Sequence, residues 1–473
     1  MPGRARQVGL LSAAVSNSGQ TFIARTTGEE ARRLLRLAIP VAGTQLSMML
    51  LGFVDTVMLG WYDTAAMAAS VSANVWTFAT MFFASGILLG LDPVIAQAHG
   101  AGQGEKAALA FQRGSVLSLL LSVPVALTWL WTGHFLSLTG QESALVPLAQ
   151  SYANALIPGL PAFLVYSCLR SYLQGREIVR PALVIVLIAN VINAFANYAL
   201  IFGNFGFPEL GIVGAGFASS LTRTLSLILL VAWVWGFGLH RTAWVPWSYA
   251  VFSLKGMRTI LAVGLPVAIQ ISTEMFAFSV STLLAGTLGA TAVVAHAIAM
   301  NLASISFMLP LGVSAAVTTR VGNLIGAGVP HHAQRTAWIA MGMGASVMSI
   351  SAVSFVLFRE WLPRVYTPDE QAIALAATIL PIAGAFQLFD GTQVVACGVL
   401  RGMGRTRPAA VFNVVGYWLL GLPLGWWVGV RVGWLGGLWW GLVLGLAIVA
   451  LSLILWIRVR GPDTLAPGYR VES

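Results

Sequence analysis

Long apolar runs, separated by short polar connections, dominate the hydrophobic pattern of this chain. Each run covers about 20 residues, which is the length that an α-helix needs to cross the roughly 30 Å hydrocarbon core of a bilayer. A transmembrane β-barrel would instead show short segments of alternating polarity, and the sequence shows none. The pattern predicts twelve spans, at about residues 36–60, 66–91, 114–133, 146–169, 181–203, 213–235, 259–284, 292–318, 336–358, 374–400, 408–430 and 434–457.

The composition agrees with a polytopic membrane protein. Charged residues make up 9% of the 473 residues and hydrophobic residues 58%, whereas a typical soluble domain has about 25% charged residues. A soluble fold of this size could not cover its surface with so few charges, which excludes a cytosolic enzyme and a disordered chain. The two cysteines, Cys168 and Cys397, lie in apolar runs without a CxxC pair. They indicate core packing and exclude a secreted disulfide scaffold.

The basic residues predict the orientation in the membrane. Of the 26 Lys and Arg residues, 22 lie in the two tails and the even-numbered connections, and three lie in the odd-numbered connections. Basic residues concentrate on the cytoplasmic side, so both termini are expected in the cytoplasm and the protein in the plasma (inner) membrane. The net charge of +10 then describes the cytoplasmic face, and no nucleic-acid partner is expected. The polar N-terminal tail makes a poor signal peptide.

An internal repeat divides the chain into two halves. Pro40 and Pro266 lie 226 residues apart, as do Gly86 and Gly312. Six spans per half is an even number, so the halves have the same orientation and an axis along the membrane normal relates them. Two such bundles can open alternately to each side, which favours a transporter. The predicted organisation is a cytoplasmic tail at 1–34, a six-helix lobe at 35–235, an interfacial linker at 236–256, a second six-helix lobe at 257–458 and a cytoplasmic tail at 459–473.

Three acidic residues lie inside predicted spans: Asp55 in span 1, Glu274 in span 7 and Asp390 in span 10. An ionisable group inside the bilayer costs several kcal/mol, so such groups usually face an aqueous cavity and bind ions, protons or substrate. Asp55 lies in the last third of its span, where a structural role at the helix end is an alternative. None of the three acids has an acidic counterpart in the other half, so each half is expected to have its own polar site.

Span 5 contains three asparagines, Asn190, Asn193 and Asn197. Asn193 and Asn197 are four residues apart and therefore share a helix face. With Asp55 they are expected to form a hydrated polar pocket. The alternative is that they form hydrogen bonds between helices.

Several other polar residues in the spans have more than one interpretation. Asn301 and His296 in span 8 are close enough to approach the second-half site, although a histidine satisfied in the core is the alternative for His296. Gln45, beside Leu46 in span 1, is a candidate for the polar network of the cleft. Arg223 in span 6 could snorkel, pair with an acid or line the cleft. Motifs for nucleotide binding, hydrolysis or a zinc site are absent from the sequence, so an enzyme is not expected.

The sequence resembles the multidrug and toxic compound extrusion (MATE) family over about residues 35–457, most closely its NorM-like branch. The resemblance rests on LAIPVAGTQL and GFVDTVMLG in span 1, AQAHGAG after span 2 and NVINAFANYALIFGNFGFPELGIVGAG from span 5. It also rests on GLPVAIQISTEMF in span 7, VVAHAIAMN in span 8 and FDGTQVVACGVLRGMG in span 10. It implies an all-α membrane protein of twelve helices in two pseudo-symmetric six-helix bundles.

The resemblance also implies the function. MATE proteins are secondary antiporters that export lipophilic cations in exchange for H⁺ or Na⁺ by alternating access, without a cofactor, and a monomer is expected. Glu274 and Asp390 match the family's coupling-cation positions, which would also be the Na⁺ ligands in a sodium-coupled protein. Asp55 matches the acid of span 1 and is expected to take part in binding the coupling cation. Phe386 stands where relatives often have tyrosine, which keeps a cation–π surface but removes a hydroxyl.

A transporter of the same superfamily with another cargo, either a lipid-linked precursor flippase or a metabolite exporter, is the alternative. A flippase would need a cationic cleft for phosphates, whereas the spans contain three acids and a single arginine. A receptor or sensor would need a soluble signalling domain, and neither tail is long enough for one. The sequence therefore favours cationic cargo.

Overall fold

The computed structural model describes residues 22–466 and 468–471, which form helices joined by short turns. Within those ranges no β-strand is present, and eleven helices are long and apolar enough to cross a membrane. A bent pair of shorter helices supplies the twelfth span. The all-α architecture and the twelve predicted spans are confirmed.

Sixteen α-helices make up the described part of the chain. Their bounds are α1 Thr27–Tyr62, α2 Thr64–Leu88, α3 Leu91–Gly100, α4 Gly104–Leu130, α5 Thr132–Leu138, α6 Leu145–Leu156, α7 Gly159–Gly175, α8 Arg180–Phe202, α9 Gly211–Gly236, α10 Leu254–Gly286, α11 Ala290–Gly326, α12 Pro330–Leu357, α13 Glu370–Gly402, α14 Arg407–Asn413, α15 Leu422–Gly425 and α16 Leu435–Arg460. Of the predicted N-terminal tail at 1–34, residues 1–21 lie outside the described residues, and α1 begins inside the remainder.

The span predicted at 146–169 is broken. The chain bends by 50° between α6 and α7, at a break that contains Pro158. Proline has no backbone N–H and its ring clashes with the preceding turn, so it interrupts the helix there. Pro40, Pro266, Pro310 and Pro381, by contrast, lie inside continuous helices.

Aspartate caps fix the starts of two helices. The Asp63 carboxylate accepts a hydrogen bond from the Ala66 N–H at 2.9 Å, and the Asp369 carboxylate accepts one from the Gln371 N–H at 2.9 Å. Such caps satisfy N–H groups that have no partner inside the helix. The second cap sets the start of α13, the helix that carries Asp390.

The described residues divide into two compact units. The C-terminal unit contains the described part of 1–42 with 96–102 and 269–471, and the N-terminal unit contains 43–95 and 103–268. The units therefore differ from the predicted lobes at 35–235 and 257–458, because the first parts of α1 and α10 each belong with the helices of the other half. The predicted linker, 236–256, belongs to the N-terminal unit, where the Ala250 carbonyl accepts two hydrogen bonds from Arg113 at 3.2 Å.

Two glycines related by the repeat allow the first parts of α1 and α10 to pack closely against helices of the other half of the sequence. In the N-terminal unit, a Cβ added at Gly86 of α2 would lie 2.7 Å from the Ala268 Cα of α10. In the C-terminal unit, a Cβ added at Gly312 of α11 would lie 2.6 Å from the Ala38 carbonyl oxygen of α1. Both separations are too short for any larger residue. Close helix packing of this kind is what small residues provide in membrane proteins.

The helix that follows α13 is not a regular α-helix. The span predicted at 408–430 contains π-helical turns at Val414–Gly421 and Trp426–Val430, on either side of α15. Gly416, Gly421, Gly425 and Gly429 recur at intervals of five, four and four residues, which suits the wide turn of about 4.4 residues in a π-helix. The glycines thereby share one face, which packs against α16.

Candidate functional site

The C-terminal unit contains two membrane-embedded carboxylates, Glu274 on α10 and Asp390 on α13. Asp390 is 4% exposed, and its Oδ1 has no hydrogen-bond partner. Glu274 is partly exposed, the Gln393 amide approaches its carboxylate, and the two acids are close enough to interact electrostatically. Two neighbouring like charges in a low dielectric favour the uptake of a proton or a cation.

The helix that follows α13 carries Tyr417, which lies near the two carboxylates. Gln393 donates a hydrogen bond to Asn413 Oδ1 at 3.2 Å, which fixes the pairing of α13 with the following helix. Asp390 lies one turn before Gln393, and Tyr417 lies one turn after Asn413. Because consecutive spans run antiparallel, these steps lead in the same direction, and Tyr417 lies opposite Asp390. Tyr417 is buried, and its hydroxyl has no hydrogen-bond partner.

Unpartnered oxygen atoms are concentrated around Asp390. Gln387 Oε1 and Gln393 Oε1 are buried without a donor, in addition to Asp390 Oδ1 and the Tyr417 hydroxyl. The Gln387 amide contacts Ser306, with its Nε2 donating to Ser306 Oγ at 2.6 Å. Buried polar atoms are usually hydrogen-bonded, so these four oxygens on α13 and the facing turn are available to accept a hydrogen bond or to contact a bound group.

Aromatic rings form the apolar wall of this site. Phe278 of α10 contacts Phe386 edge-to-face at 5.9 Å and Tyr417 at 5.8 Å between ring centroids. Phe386 also contacts Trp439 at 5.9 Å and is 2% exposed. The ring contacts of Phe386 in this structure are therefore with other aromatic residues, which hold α10, α13 and α16 around the carboxylates.

The residues predicted on span 8 do not join the carboxylates. Asn301 is exposed, and its Nδ2 donates to the Ala297 carbonyl of its own helix at 2.9 Å. His296 is buried; its Nε2 lies 3.3 Å from Thr282 Oγ1, and its ring lies 5.5 Å from that of Trp439. His296 therefore has the surroundings of a histidine packed in the core, which was the alternative expectation.

The N-terminal unit contains the second acidic site, around Asp55 of α1. Asp55 is 7% exposed; its Oδ1 accepts a hydrogen bond from Asn197 Nδ2 at 2.6 Å and its Oδ2 accepts one from Ser219 Oγ at 2.7 Å. Asn197 also donates to Asn193 Oδ1 at 3.2 Å. The predicted grouping of Asp55 with the two asparagines is present, and both carboxylate oxygens are hydrogen-bonded.

The other predicted polar residues of this unit have different contacts. Asn190 Nδ2 donates to the Ser47 carbonyl of α1 at 3.0 Å, so it links α8 to α1 away from the carboxylate. Gln45 Oε1 accepts from Arg170 at 3.1 Å, and its neighbour Leu46 is exposed. Arg223 of α9 lies close enough to Asp55 to interact with it electrostatically.

Sequence reasoning missed Ser219, Gln393, Asn413 and Tyr417. A serine, an amide or a tyrosine in an apolar span is common, and no spacing in the sequence marks these four. Among the described residues, no cluster of three or more His, Cys, Asp or Glu side chains is found. Glu274 and Asp390 are therefore an isolated pair of acids in the described part of the chain.

Comparison with known proteins places these sites in context. The sequence profile of the MatE family matches residues 40–199 and 266–427, two stretches that begin at the repeat-related prolines. Multidrug resistance protein MdtK of Yersinia pestis (strain Pestoides F) is 34% identical over 436 residues, which cover 91% of this chain and 95% of that protein. Multidrug resistance protein NorM of Vibrio parahaemolyticus serotype O3:K6 (strain RIMD 2210633) is 36% identical over 447 residues, covering 92% and 97%.

Solved structures share the fold. The crystal structure of the eukaryotic MATE transporter AtDTX14 superposes with a TM-score of 0.85 at 24% identity, covering 92% of this chain and 97% of that one. The bent form of the Vibrio cholerae MATE transporter VcmN gives a TM-score of 0.81 at 18% identity, covering 93% and 98%. At these identities the likeness shows the architecture alone.

Proposed function

This chain belongs to the MATE family, in the branch of NorM and MdtK, and from that premise we propose how it works as a multidrug efflux antiporter and which residues couple export to an ion. It is a multi-pass membrane transporter and not an enzyme. The proposed cargo is a lipophilic cation, and the proposed orientation has both termini in the cytoplasm, as the distribution of basic residues indicates. A flippase or metabolite exporter on the same scaffold is not favoured.

The coupling site proposed here is the pair Glu274 and Asp390 with the Tyr417 hydroxyl. The observation that supports it most is the concentration of unpartnered buried oxygens around Asp390. Carboxylate, hydroxyl and amide oxygens are the ligands that hard cations prefer. A proton needs a single oxygen, whereas Na⁺ needs several, so this arrangement favours Na⁺ as the coupling ion. Tyr417 would supply the hydroxyl that Phe386 lacks.

Exchange follows from competition for the same negative charge. A cationic drug and Na⁺ both stabilise the ionised carboxylates, and each reduces the attraction for the other. Opposite preferences of drug and ion for the two access states would then drive export, because a ligand can shift a conformational equilibrium only by its differential affinity for the two states. Asp55, whose oxygens are hydrogen-bonded to Asn197 and Ser219, is proposed to add to the negative charge for which drug and ion compete.

Dye transport in everted vesicles tests this function. An imposed Na⁺ gradient is expected to drive accumulation of a cationic dye, and a proton gradient alone to drive much less. Asp390→Asn keeps the size of the side chain and removes its charge, so it should abolish transport at an unchanged protein level. Asp463→Asn, outside the long helices, serves as the matched control. Normal dye transport by the Asp390→Asn variant would exclude this coupling site, and transport driven equally well by protons would exclude Na⁺ specificity.

A further inference from the structure

Arg223 is a cation in the middle of α9 that forms no ion pair with any side chain in the described part of the chain. It is residue 13 of the 26 in α9, about 18 Å from either end at 1.5 Å per residue, which is too far for its side chain to reach the membrane surface. No hydrogen bond or ion pair of Arg223 occurs among the described residues, and its Nη1 is buried without a partner. An unpaired arginine at this depth is costly, so its retention needs an explanation.

The side chain of Arg223 faces the inside of the N-terminal unit. The exposed residues of α9, among them Phe217, Leu221 and Ile228, form one stripe along the helix. Arg223 lies about 130° from that stripe at 100° per residue and shares a face with Ser219, which donates to Asp55. The partly exposed surface of Arg223 therefore does not belong to the stripe of α9 that faces lipid. The guanidinium lies among polar groups of the same unit.

The nearest acid does not neutralise Arg223. Asp55 interacts with it electrostatically, but no ion pair joins the two side chains in the described part of the chain. The carboxylate oxygens of Asp55 accept hydrogen bonds from Asn197 and Ser219. The guanidinium carbon instead lies 5.5 Å from the centroid of the Phe163 ring. A guanidinium supported by an aromatic ring keeps its N–H donors available for a planar anion.

We infer that Arg223 is a binding site for a carboxylate group carried by an amphipathic substrate. Asp55 and Arg223 together would then accept a zwitterion, with its positive end toward Asp55 and its carboxylate on the guanidinium. The inference rests on the proposed export function and names the side chain that would bind the anionic end of a cargo molecule. Arginine suits this role because its planar fork can bind both carboxylate oxygens, whereas lysine offers only a point charge.

A matched pair of dyes tests the inference. Rhodamine 6G is a cationic ethyl ester, and rhodamine 19 is the corresponding free acid, a zwitterion with the same aromatic core. Wild-type protein is expected to transport both dyes in vesicles. Arg223→Gln should reduce rhodamine 19 transport by about tenfold or more, as expected for loss of a charge-assisted hydrogen bond, and leave rhodamine 6G within about twofold. Arg241→Gln, an exposed residue of the same unit, controls for the change in net charge.

Other outcomes have definite meanings. Equal loss of both dyes in Arg223→Gln would show that the arginine only balances Asp55, and equal retention would show that it contacts no substrate carboxylate; either result overturns the inference. If Arg223→Gln does not fold, Arg223→Lys and binding to purified wild-type protein decide the question. Failure of wild-type protein to bind rhodamine 19 while it binds rhodamine 6G overturns the inference alone. Failure to transport rhodamine 6G would contradict the proposed function itself.

Discussion

Replacing Tyr417 with phenylalanine separates its proposed role in ion binding from a role in folding. The substitution removes one hydroxyl and keeps the ring, so the edge-to-face contact with Phe278 at 5.8 Å should persist. The hydroxyl is buried and has no hydrogen-bond partner in the structure. Its proposed partner is the coupling ion. The substitution should therefore weaken Na⁺ binding without destabilising the Na⁺-free protein.

The expected magnitudes follow from that geometry. A buried, unsatisfied polar group costs about 1–3 kcal/mol, so Tyr417→Phe should leave the free energy of unfolding without Na⁺ unchanged or raise it. A bond to a charged group contributes about 1.5–3 kcal/mol, and 1.4 kcal/mol corresponds to a factor of ten. The half-saturating Na⁺ concentration should therefore rise by about tenfold or more.

Thermal unfolding of purified protein over a Na⁺ titration measures both quantities in one experiment. Choline chloride at equal ionic strength controls for screening. Tyr166→Phe is the matched control variant, because Tyr166 is also buried with an unpartnered hydroxyl but belongs to the N-terminal unit. Destabilisation of Tyr417→Phe in the absence of Na⁺, combined with an unchanged Na⁺ midpoint, would refute the reasoning, since it would give the hydroxyl a structural partner.

Two further predictions concern buried charges. Glu30→Gln breaks the buried ion pair with Arg320, whose atoms lie 2.9 Å apart, and should lower the free energy of unfolding by about 3–5 kcal/mol. Glu29→Gln weakens a solvent-accessible pair with Arg33, and glutamine can still accept the hydrogen bond from the Arg25 N–H, so it should cost less than about 1 kcal/mol. Equal melting temperatures of the two variants would contradict this. Asn197→Ala removes the 2.6 Å hydrogen bond to Asp55 and should lower the free energy of unfolding by about 1.5–3 kcal/mol. It should also weaken the binding of a cationic dye, measured by fluorescence polarisation. An unchanged dye affinity would show that Asp55 is not part of the drug site.

The span pattern was predictable because each crossing needs about 20 apolar residues, and the repeat was visible in its prolines and glycines. The bend between α6 and α7 and the π-helical turns were not predicted. The bend depends on which of several prolines interrupts a helix, and the turns depend on glycine packing against α16. The assignment of the first parts of α1 and α10 to the two units also depends on tertiary contacts. A repeat in sequence does not show which half of the chain a segment packs against.

The acids of the candidate site could be found from sequence because a carboxylate in a span is expensive. The polar groups around them could not be, because Tyr417 and Ser219 gain significance only from the helices that they face. Asn301 shows the limit of spacing: five residues from His296, it is exposed and donates to the Ala297 carbonyl of its own helix, so its place in the polar network of the cleft stays a prediction. Spacing along one helix identifies a shared face and does not identify the neighbour of that face.

Competition between a cationic dye and Na⁺ on the purified protein tests the central claim most directly. Binding of rhodamine 6G is measured by fluorescence polarisation while Na⁺ replaces choline at constant ionic strength. If Glu274 and Asp390 hold the coupling ion in exchange for drug, Na⁺ should displace the dye from wild-type protein and should not affect dye binding to the Asp390→Asn variant. Dye binding that is independent of Na⁺ in the wild type, or equally sensitive to Na⁺ in the variant, would contradict the account.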